Sequence, residues 1–424
     1  MAKYVKAALR VLAYVLCIFI PYGIDHSITV FTDDPCKPRT MESSGIEGRV
    51  ETAIYEVVTR SGFRDIRSRY TAVITLRDYE LPLELFSDKC KQREFLSTII
   101  RKAADAGASM IVIDKYFSPG SCKDATATGT LAKAIEDVSK RIPIIIGIST
   151  LTEDDLRRQH LAPSGQQEQV FRKACLVMPA QLDFKVLSHS DNVYTGLVRL
   201  NADIRKIPLS WSTFQGSIAG EPQVQPTLSV MAATTYDPQL SERPVFVEDL
   251  RRRIHPLTSF IAEDKFPILS AADVACEAAL KVLDYTCKTK LDLHPLRGKI
   301  VLIGEDTAGC ADRHSTPAGE MPGVFVQANY IESLLDDRYF KMIPVWTEVL
   351  MGFIWVIALE YWFEKHKTTK LLVVSRWWLV SMLAFLVVTW VLFQLTGYFV
   401  LFGVPAATVG LGLKCIGRIQ QNVA

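Results

Sequence analysis

The sequence predicts an α/β protein: an exported domain with a mostly parallel sheet flanked by helices and a long insertion, joined to four transmembrane helices. Three observations predict it. Short apolar, β-branched runs alternate with segments of helical period between residues 70 and 148. A further run of the same kind, Gly298 to Gly304, returns only after a long stretch of mixed character. The longest apolar stretches of the 424-residue chain lie near its two ends, with a domain of soluble character between them.

The first apolar stretch covers about Ala7 to Ile24, and Lys3, Lys6 and Arg10 precede or open it. A spanning helix needs ~20 mostly apolar residues, and cationic flanks stay on the cytoplasmic side. A secretory signal has a core of ~7–15 apolar residues, which Val11 to Ile20 fits. However, Pro21-Tyr22-Gly23-Ile24-Asp25 offers no small-x-small cleavage site. Residues 1–24 therefore read as an uncleaved anchor, and residues 25–340 as the exported domain.

Within that domain Tyr70 to Leu76 reads as a strand. Gln92 to Ala106 places Phe95, Leu96, Ile99, Ile100, Ala103 and Ala104 on one helical face, and Gly107 is a natural stop. Ser109 to Asp114 is a buried-strand run ending in an acid, Thr130 to Lys140 repeats the helical period, and Pro143 to Ile148 repeats the strand. The order β-α-β-α-β argues a parallel sheet with helices on its faces. Residues 152–265 carry weaker signals: short strands at Ala174 to Met178 and Val193 to Leu200, set among Pro, Gln and Ser, read as an excursion at the sheet's edge. Ser270 to Leu283 reads as a helix, Gly298 to Gly304 as the clearest strand, and Val324 to Leu335 as a last helix. One domain with a long insertion explains this better than two.

Three further apolar runs follow, about Ile343 to Phe363, Trp377 to Leu395 and Tyr398 to Leu413. The loop Glu364-Lys365-His366-Lys367-Thr368-Thr369-Lys370 is cationic, Thr396-Gly397 is an uncharged turn, and Lys414 and Arg418 close the last run. These flanks agree on one orientation: both chain ends inside, the large domain outside, three helices over 343–418 and a short cytoplasmic tail at 419–424. Arg376 then lies at the inner boundary, where it can snorkel as an anchor. Gly403, Ala406, Ala407 and Gly410 put small residues four apart, which suits packing within the chain or docking of a partner's helix equally well. The expected location is the cell inner membrane, multi-pass and in contact with lipid, with the large domain periplasmic or extracellular.

Charged residues make up 22% and hydrophobic ones 49%, which excludes a disordered chain, and a net charge of +2 gives no case for nucleic acid. On the exported side lie Cys36, Cys90, Cys122, Cys175, Cys276, Cys287 and Cys310, where an oxidising compartment permits disulfides. Cys90 with Cys122, and Cys276 with Cys287, are candidate pairs, although connectivity does not follow from sequence. An odd cysteine stays free or pairs between chains, so a homodimer stays open. There is no C-x-x-C, hence no support for a zinc or redox motif.

Two blocks carry a resemblance. The first is Ala106-Gly107-Ala108-Ser109-Met110-Ile111-Val112-Ile113-Asp114-Lys115-Tyr116-Phe117. The second is Leu296-Arg297-Gly298-Lys299-Ile300-Val301-Leu302-Ile303-Gly304, with Asp312, Thr316-Pro317, Met321-Pro322-Gly323-Val324 and Gln327-Ala328-Asn329-Tyr330-Ile331 after it. They resemble the second type of CHASE domain, an extracellular sensory domain associated with bacterial cyclases and histidine kinases. The layout of one anchor, a sensory domain and three membrane helices is similar too. Departures are the absence of the family's Trp-Pro, for which Glu80-Leu81-Pro82 is the nearest remnant, and Gln327 in place of a common His. The family normally continues into an output module, whereas only Ile419 to Ala424 follow Arg418 here.

Ligands on open α/β sheets bind beyond the carboxyl ends of the strands. Asp114, Thr307, Asp312 and Thr316 are therefore the expected lining of a small polar ligand pocket. The competing structural reading has Asp312 capping a turn, Thr316-Pro317 fixing a loop and Gly304 permitting close packing. Asp306, Asp312 and His314 share one loop and have no partner set at metal-ligand spacing, no G-x-G-x-x-G or P-loop occurs, and Ser118 and Ser315 lack a nucleophile elbow. No catalytic residue, metal or cofactor is expected, and the protein reads as a non-enzyme. The function that follows is an exported sensor of a small-molecule ligand or an envelope state, acting through a separate membrane kinase, cyclase or other signalling protein. A non-enzymatic structural or assembly factor of the bacterial envelope is the alternative.

Overall fold

The structure, a computed structural model, describes residues 67–118 except 82, 121–150, 191–200, 204–213, 223–243, 258–276, 291–307 and 312–338, with isolated positions between 341 and 399. The chain divides into two compact units, one of Phe63–Tyr339 and one of Met1–Gly62 with Phe340–Ala424. In the second unit the described elements are a short parallel pairing of Lys341–Met342 with Tyr398–Phe399 and scattered helical positions. No helix among the described residues is long and apolar enough to cross a membrane. The spans expected at 7–24, 343–363, 377–395 and 398–413 lie mostly outside the described residues, as do the strand expected at Ala174 to Met178 and the small-residue stripe at 403–410.

The first-named unit opens with β1 (Thr71–Arg77), followed by α1 (Leu83–Ser87) and α2 (Lys89–Asp105). Then come β2 (Met110–Asp114), α3 (Ala125–Ser139), β3 (Ile144–Ile148) and β4 (Val193–Leu197). A hairpin of β5 (Ser210–Thr213) and β6 (Gln223–Pro226) leads into α4 (Leu228–Tyr236). The last part holds β7 (Ile268–Ser270), a short α5 (Ala271–Val274) and β8 (Ile300–Asp306). A second hairpin, β9 (Arg313–Thr316) and β10 (Gly319–Pro322), runs straight into α6 (Gly323–Leu335).

Local chemistry accounts for the boundaries. Asp88 caps α2 by accepting from Cys90 N and Lys91 N, and Asp124 caps α3 by accepting from Thr126 N and Ala127 N. The second cap is why α3 starts at Ala125, ahead of the apolar period that begins near Thr130. At the end of α2, Gly107 adopts φ 86° and Ala108 N bonds back to Ala103 O, the arrangement that closes a helix with a left-handed residue.

Six strands form one sheet in the order β4-β3-β2-β8-β1-β7, and every neighbouring pair is parallel. β8 comes last in the chain yet fills the slot between β1 and β2. Successive side chains on a strand point to opposite faces, and the core divides accordingly. One face (Ala72, Ile74, Leu76, Ile111, Ile113, Val301, Ile303) packs with Phe95, Leu96, Ile99, Leu131 and Ile135 of α2 and α3. The other (Val73, Met110, Val112, Ile145, Ile300, Leu302) packs with Leu228, Ala232, Val324, Phe325 and Ala328 of α4 and α6.

The middle of the chain is more than an excursion at the edge. It supplies β4, and it lays α4 across the sheet against β3, β4 and α6. The helix expected from Ser270 to Leu283 is described only as far as Cys276; its first residue ends β7 instead, and α5 follows. Cys90 and Cys122 form a disulfide, as their loop-like settings suggested, which ties the start of α2 to the segment after β2. Cys276 is also disulfide-bonded, with its partner not among the described residues.

Candidate functional site

The carboxyl ends of β1, β2, β7 and β8 converge at one edge of the sheet. Register sets the arrangement: Thr75 lies beside Gly304, Gly304 beside Asp114, and Arg77 beside Asp306. By alternation Thr75, Gly304, Asp114, Arg77 and Asp306 belong to the face covered by α6, whereas Glu305 belongs to the face covered by α2.

On the α2 face Lys115 and Glu305 form an ion pair, and Gln92 Nε2 donates to Glu305 Oε1 at 3.2 Å. Burial pushes the Lys115 ammonium down, and Glu305 only partly restores it. Burial alone would raise Glu305, but Lys115 and its hydrogen bond override this and hold the carboxylate below its ordinary value. The pair favours the carboxylate more than the ammonium because Lys115 is the more enclosed partner, 12% exposed against 34%.

On the α6 face Asp306 is almost fully buried and receives two guanidinium groups. Arg77 Nε approaches its Oδ2 at 3.1 Å and Arg313 its Oδ1 at 2.7 Å. Arg77 also meets Glu80 at 3.3 Å and Glu263 at 3.7 Å, and its guanidinium lies 5.7 Å from the centre of the exposed Tyr79 ring. Glu80 in turn bonds Ser270 Oγ at the end of β7. This group pairs each of its carboxylates with a guanidinium and braces the ends of β1, β7 and β8 together.

Asp114 stands apart. Although the residue is only part-buried, protein surrounds its carboxyl closely enough that burial, helped by the nearby Asp312 and Glu305 carboxylates, pushes it up to about 7; Lys115 offsets part of this. It makes no hydrogen bond with any described residue. In the same register row, the Thr75 hydroxyl is buried and has no hydrogen-bond partner among the described residues. Between them Gly304 is required by space: a Cβ there would lie 2.7 Å from Val324 of α6 and 3.5 Å from Asp114 Cβ.

Asp312 sits at the first turn of α6. Its carbonyl accepts from Gly323 N at 2.8 Å, and its carboxylate would be 2.5 Å from a Cβ added at Gly323. A carboxylate there is favoured by the positive end of the helix dipole. His314 approaches Asp312 Oδ1 at 3.3 Å.

Of the residues expected from sequence, Asp114 and Asp312 are thus brought together. Thr307 follows β8 directly and is half-buried. Thr316 is committed elsewhere: its hydroxyl donates to Gly319 O at 2.6 Å and accepts from Ala318 N, closing the β9–β10 turn. The readings of Gly304 as a close-packing position and of Thr316 as a loop-fixing residue both hold. Sequence reasoning weighed Asp306 only as part of a rejected cluster with Asp312 and His314, and missed Arg77, Arg313, Lys115 and Glu305; the two consecutive acids that close the apolar strand β8 were the signal for Glu305 and Asp306. Among the described residues no group of His, Cys, Asp or Glu is arranged to hold a metal ion. The arrangement can accept a proton or a hydrogen-bond donor at Asp114 and pass the change in charge to Asp312 at the start of α6.

The model of the CHASE2 domain family matches residues 41–360, well over half of the chain. No curated protein and no solved structure matches it.

Proposed function

Because the chain belongs to the CHASE2 domain family, whose members are extracellular sensory domains, we propose that it is a membrane-anchored extracytoplasmic sensor that signals through a separate membrane partner. The ligand binds at the carboxyl edge of the sheet, with Asp114 as its principal contact and Asp312 and Thr307 beside it. A single observation carries this reading: Asp114 is an enclosed carboxyl with no hydrogen-bond donor among the described residues, at the edge where open α/β sheets take their ligands. A ligand hydroxyl or protonated amine would supply that donor. Thr316, spent on its turn, is left out of the contact set.

A ligand shifts a two-state domain only through its different affinity for the two states. Here the difference arises at Asp114 and Asp312, because a donor placed between them relieves their repulsion. The second apolar run follows α6 after a short link, and that run is the conduit to the membrane partner.

In-cell crosslinking followed by purification of the full chain in mild detergent tests the signalling half of the proposal. A kinase, cyclase or regulator crosslinked near Gly403 to Gly410 is the expected result. Recovery of the chain alone, or with envelope-assembly proteins only, would overturn it and favour a structural role.

A further inference from the structure

α6 is buried along its whole length, and its two ends do different things. Its first residue carries the Asp312 contact, and Val324 closes over Gly304 beside Asp114. At the far end Glu332, which is completely buried, grips the segment that leads into β1. Its Oε1 accepts from Tyr70 N at 2.8 Å, Thr71 N at 2.7 Å, Thr71 Oγ1 at 2.9 Å and Ser68 Oγ at 2.8 Å, and Arg69 N reaches both oxygens at 3.1 Å. About two and a half turns of helix, roughly 14 Å at 1.5 Å per residue, separate the two contacts.

The same end of α6 is where the chain leaves the unit. Asp336 N bonds Glu332 O, Asp337 takes a left-handed φ of 52°, and Arg338 N returns to Ser333 O. Arg69 from the lead-in segment pairs with Asp336 at 3.2 Å, and Arg338 lies 2.7 Å from Asp336 and 3.6 Å from Glu332. The unit begins at Phe63 and ends at Tyr339, so its incoming and outgoing chains are held side by side by one helix.

Along its length α6 packs through apolar side chains, and its polar side chains bond backbone groups of the rest of the unit. Gln327 donates to Val198 O, Tyr330 to Ile204 O, and Asn329 exchanges two bonds with Ile261 N and O.

We propose that α6 is the coupling element of the unit, and that Glu332 makes it deliver a displacement of its first turn to both chain ends together rather than to the outgoing chain alone. This rests on the sensor reading only for the origin of the displacement. The coupling itself is a property of the unit.

The test is residue-resolved hydrogen exchange on the full chain in detergent, with no ligand present. Gly323→Ala places a methyl against the Asp312 carboxylate, and Asp312→Asn changes the same contact without added volume. Gly129→Ala, where a Cβ meets nothing within 4 Å, is the control. Coupling predicts that exchange of Arg69, Tyr70 and Thr71 changes at least fivefold relative to Ile144–Ile148 of β3 in one or both variants, and not in the control. Glu332→Gln should abolish that response while leaving any change at Asp312–Gly323 in place. An unchanged ratio in both variants, or a response that survives Glu332→Gln, overturns the proposal. Because no ligand enters the measurement, coupling can fail while ligand binding stands, and the reverse.

Discussion

At the amino edge of the sheet Glu332 is completely buried and its carboxylate is met by three backbone N–H groups and two hydroxyls. At the carboxyl edge Asp114 is part-buried with protein close around its carboxyl, makes no hydrogen bond with a described residue, and faces a second carboxylate in Asp312. Both lie on the face of the sheet that α6 covers. A buried charge is tolerable when donors surround it and costly when they do not. The first arrangement is therefore a fastening, and the second a site held open at a cost in stability. Strongly shifted titratable groups concentrate at functional sites, and the contrast supports the proposal that the receptive end of the unit lies opposite the end that the chain uses to leave it.

Breaking the fastening should have the largest effect. Glu332→Ala leaves several buried donors without a partner and should lower unfolding stability by about 3–5 kcal/mol, read as a fall in the unfolding midpoint of the full chain in detergent. A loss below about 1 kcal/mol would mean that water reaches the lead-in segment and that the two carboxylates differ less than described.

The opposite sign is expected at the other edge. The Asp114 carboxyl is raised from 3.8 to about 7, so the folded protein keeps a proton that the unfolded chain releases in that window. The cost of ionising it is absent below about pH 4, grows with rising pH and is complete above about pH 7. Asp114→Asn should therefore be no more stable than the parent at pH 4, and more stable by roughly 2–4 kcal/mol at pH 8. Unfolding midpoints at four pH values check it; a gap that does not vary with pH would show that Asp114 is not enclosed.

Space at the same edge is sharpened by Gly304→Ala. The added methyl meets Val324 at 2.7 Å, so α6 must shift, at an expected 1–3 kcal/mol of overpacking, about the usual range. Unfolding midpoints measure it, and Val324→Ala in the same chain should recover part of the loss. The smallest effect belongs to Arg141→Ala, which removes an exposed pair with Asp105 and should change stability by less than about 0.5 kcal/mol.

Much of the carboxyl edge was legible in the sequence. Asp114 ends an uninterrupted apolar strand and Gly304 closes the apolar part of β8, so a parallel sheet put both near one crevice; that β8 is the direct neighbour of β2 did not follow from the sequence. The amino edge was not. Glu332 is a lone acid in Gly323–Leu335, and its partners are backbone groups some 260 positions earlier in the chain, which residue identities do not reveal. A single charge inside an otherwise apolar helix was the available signal. α4 escaped notice for a related reason: covered by the sheet, α6 and neighbouring loops, it has no polar stripe to set its period. β7 and the β9–β10 hairpin are only three and four residues per strand, too short for alternation to register.

The central claim is that the carboxyl edge receives a ligand through Asp114. A thermal-shift panel of small polyols and protonated amines, run on the full chain in detergent beside Asp114→Asn, tests it most directly. The expected result is at least one compound that raises the parent's midpoint in proportion to its concentration, with the response at least tenfold weaker in Asp114→Asn. No shift across the panel, or equal shifts in both chains, would contradict it.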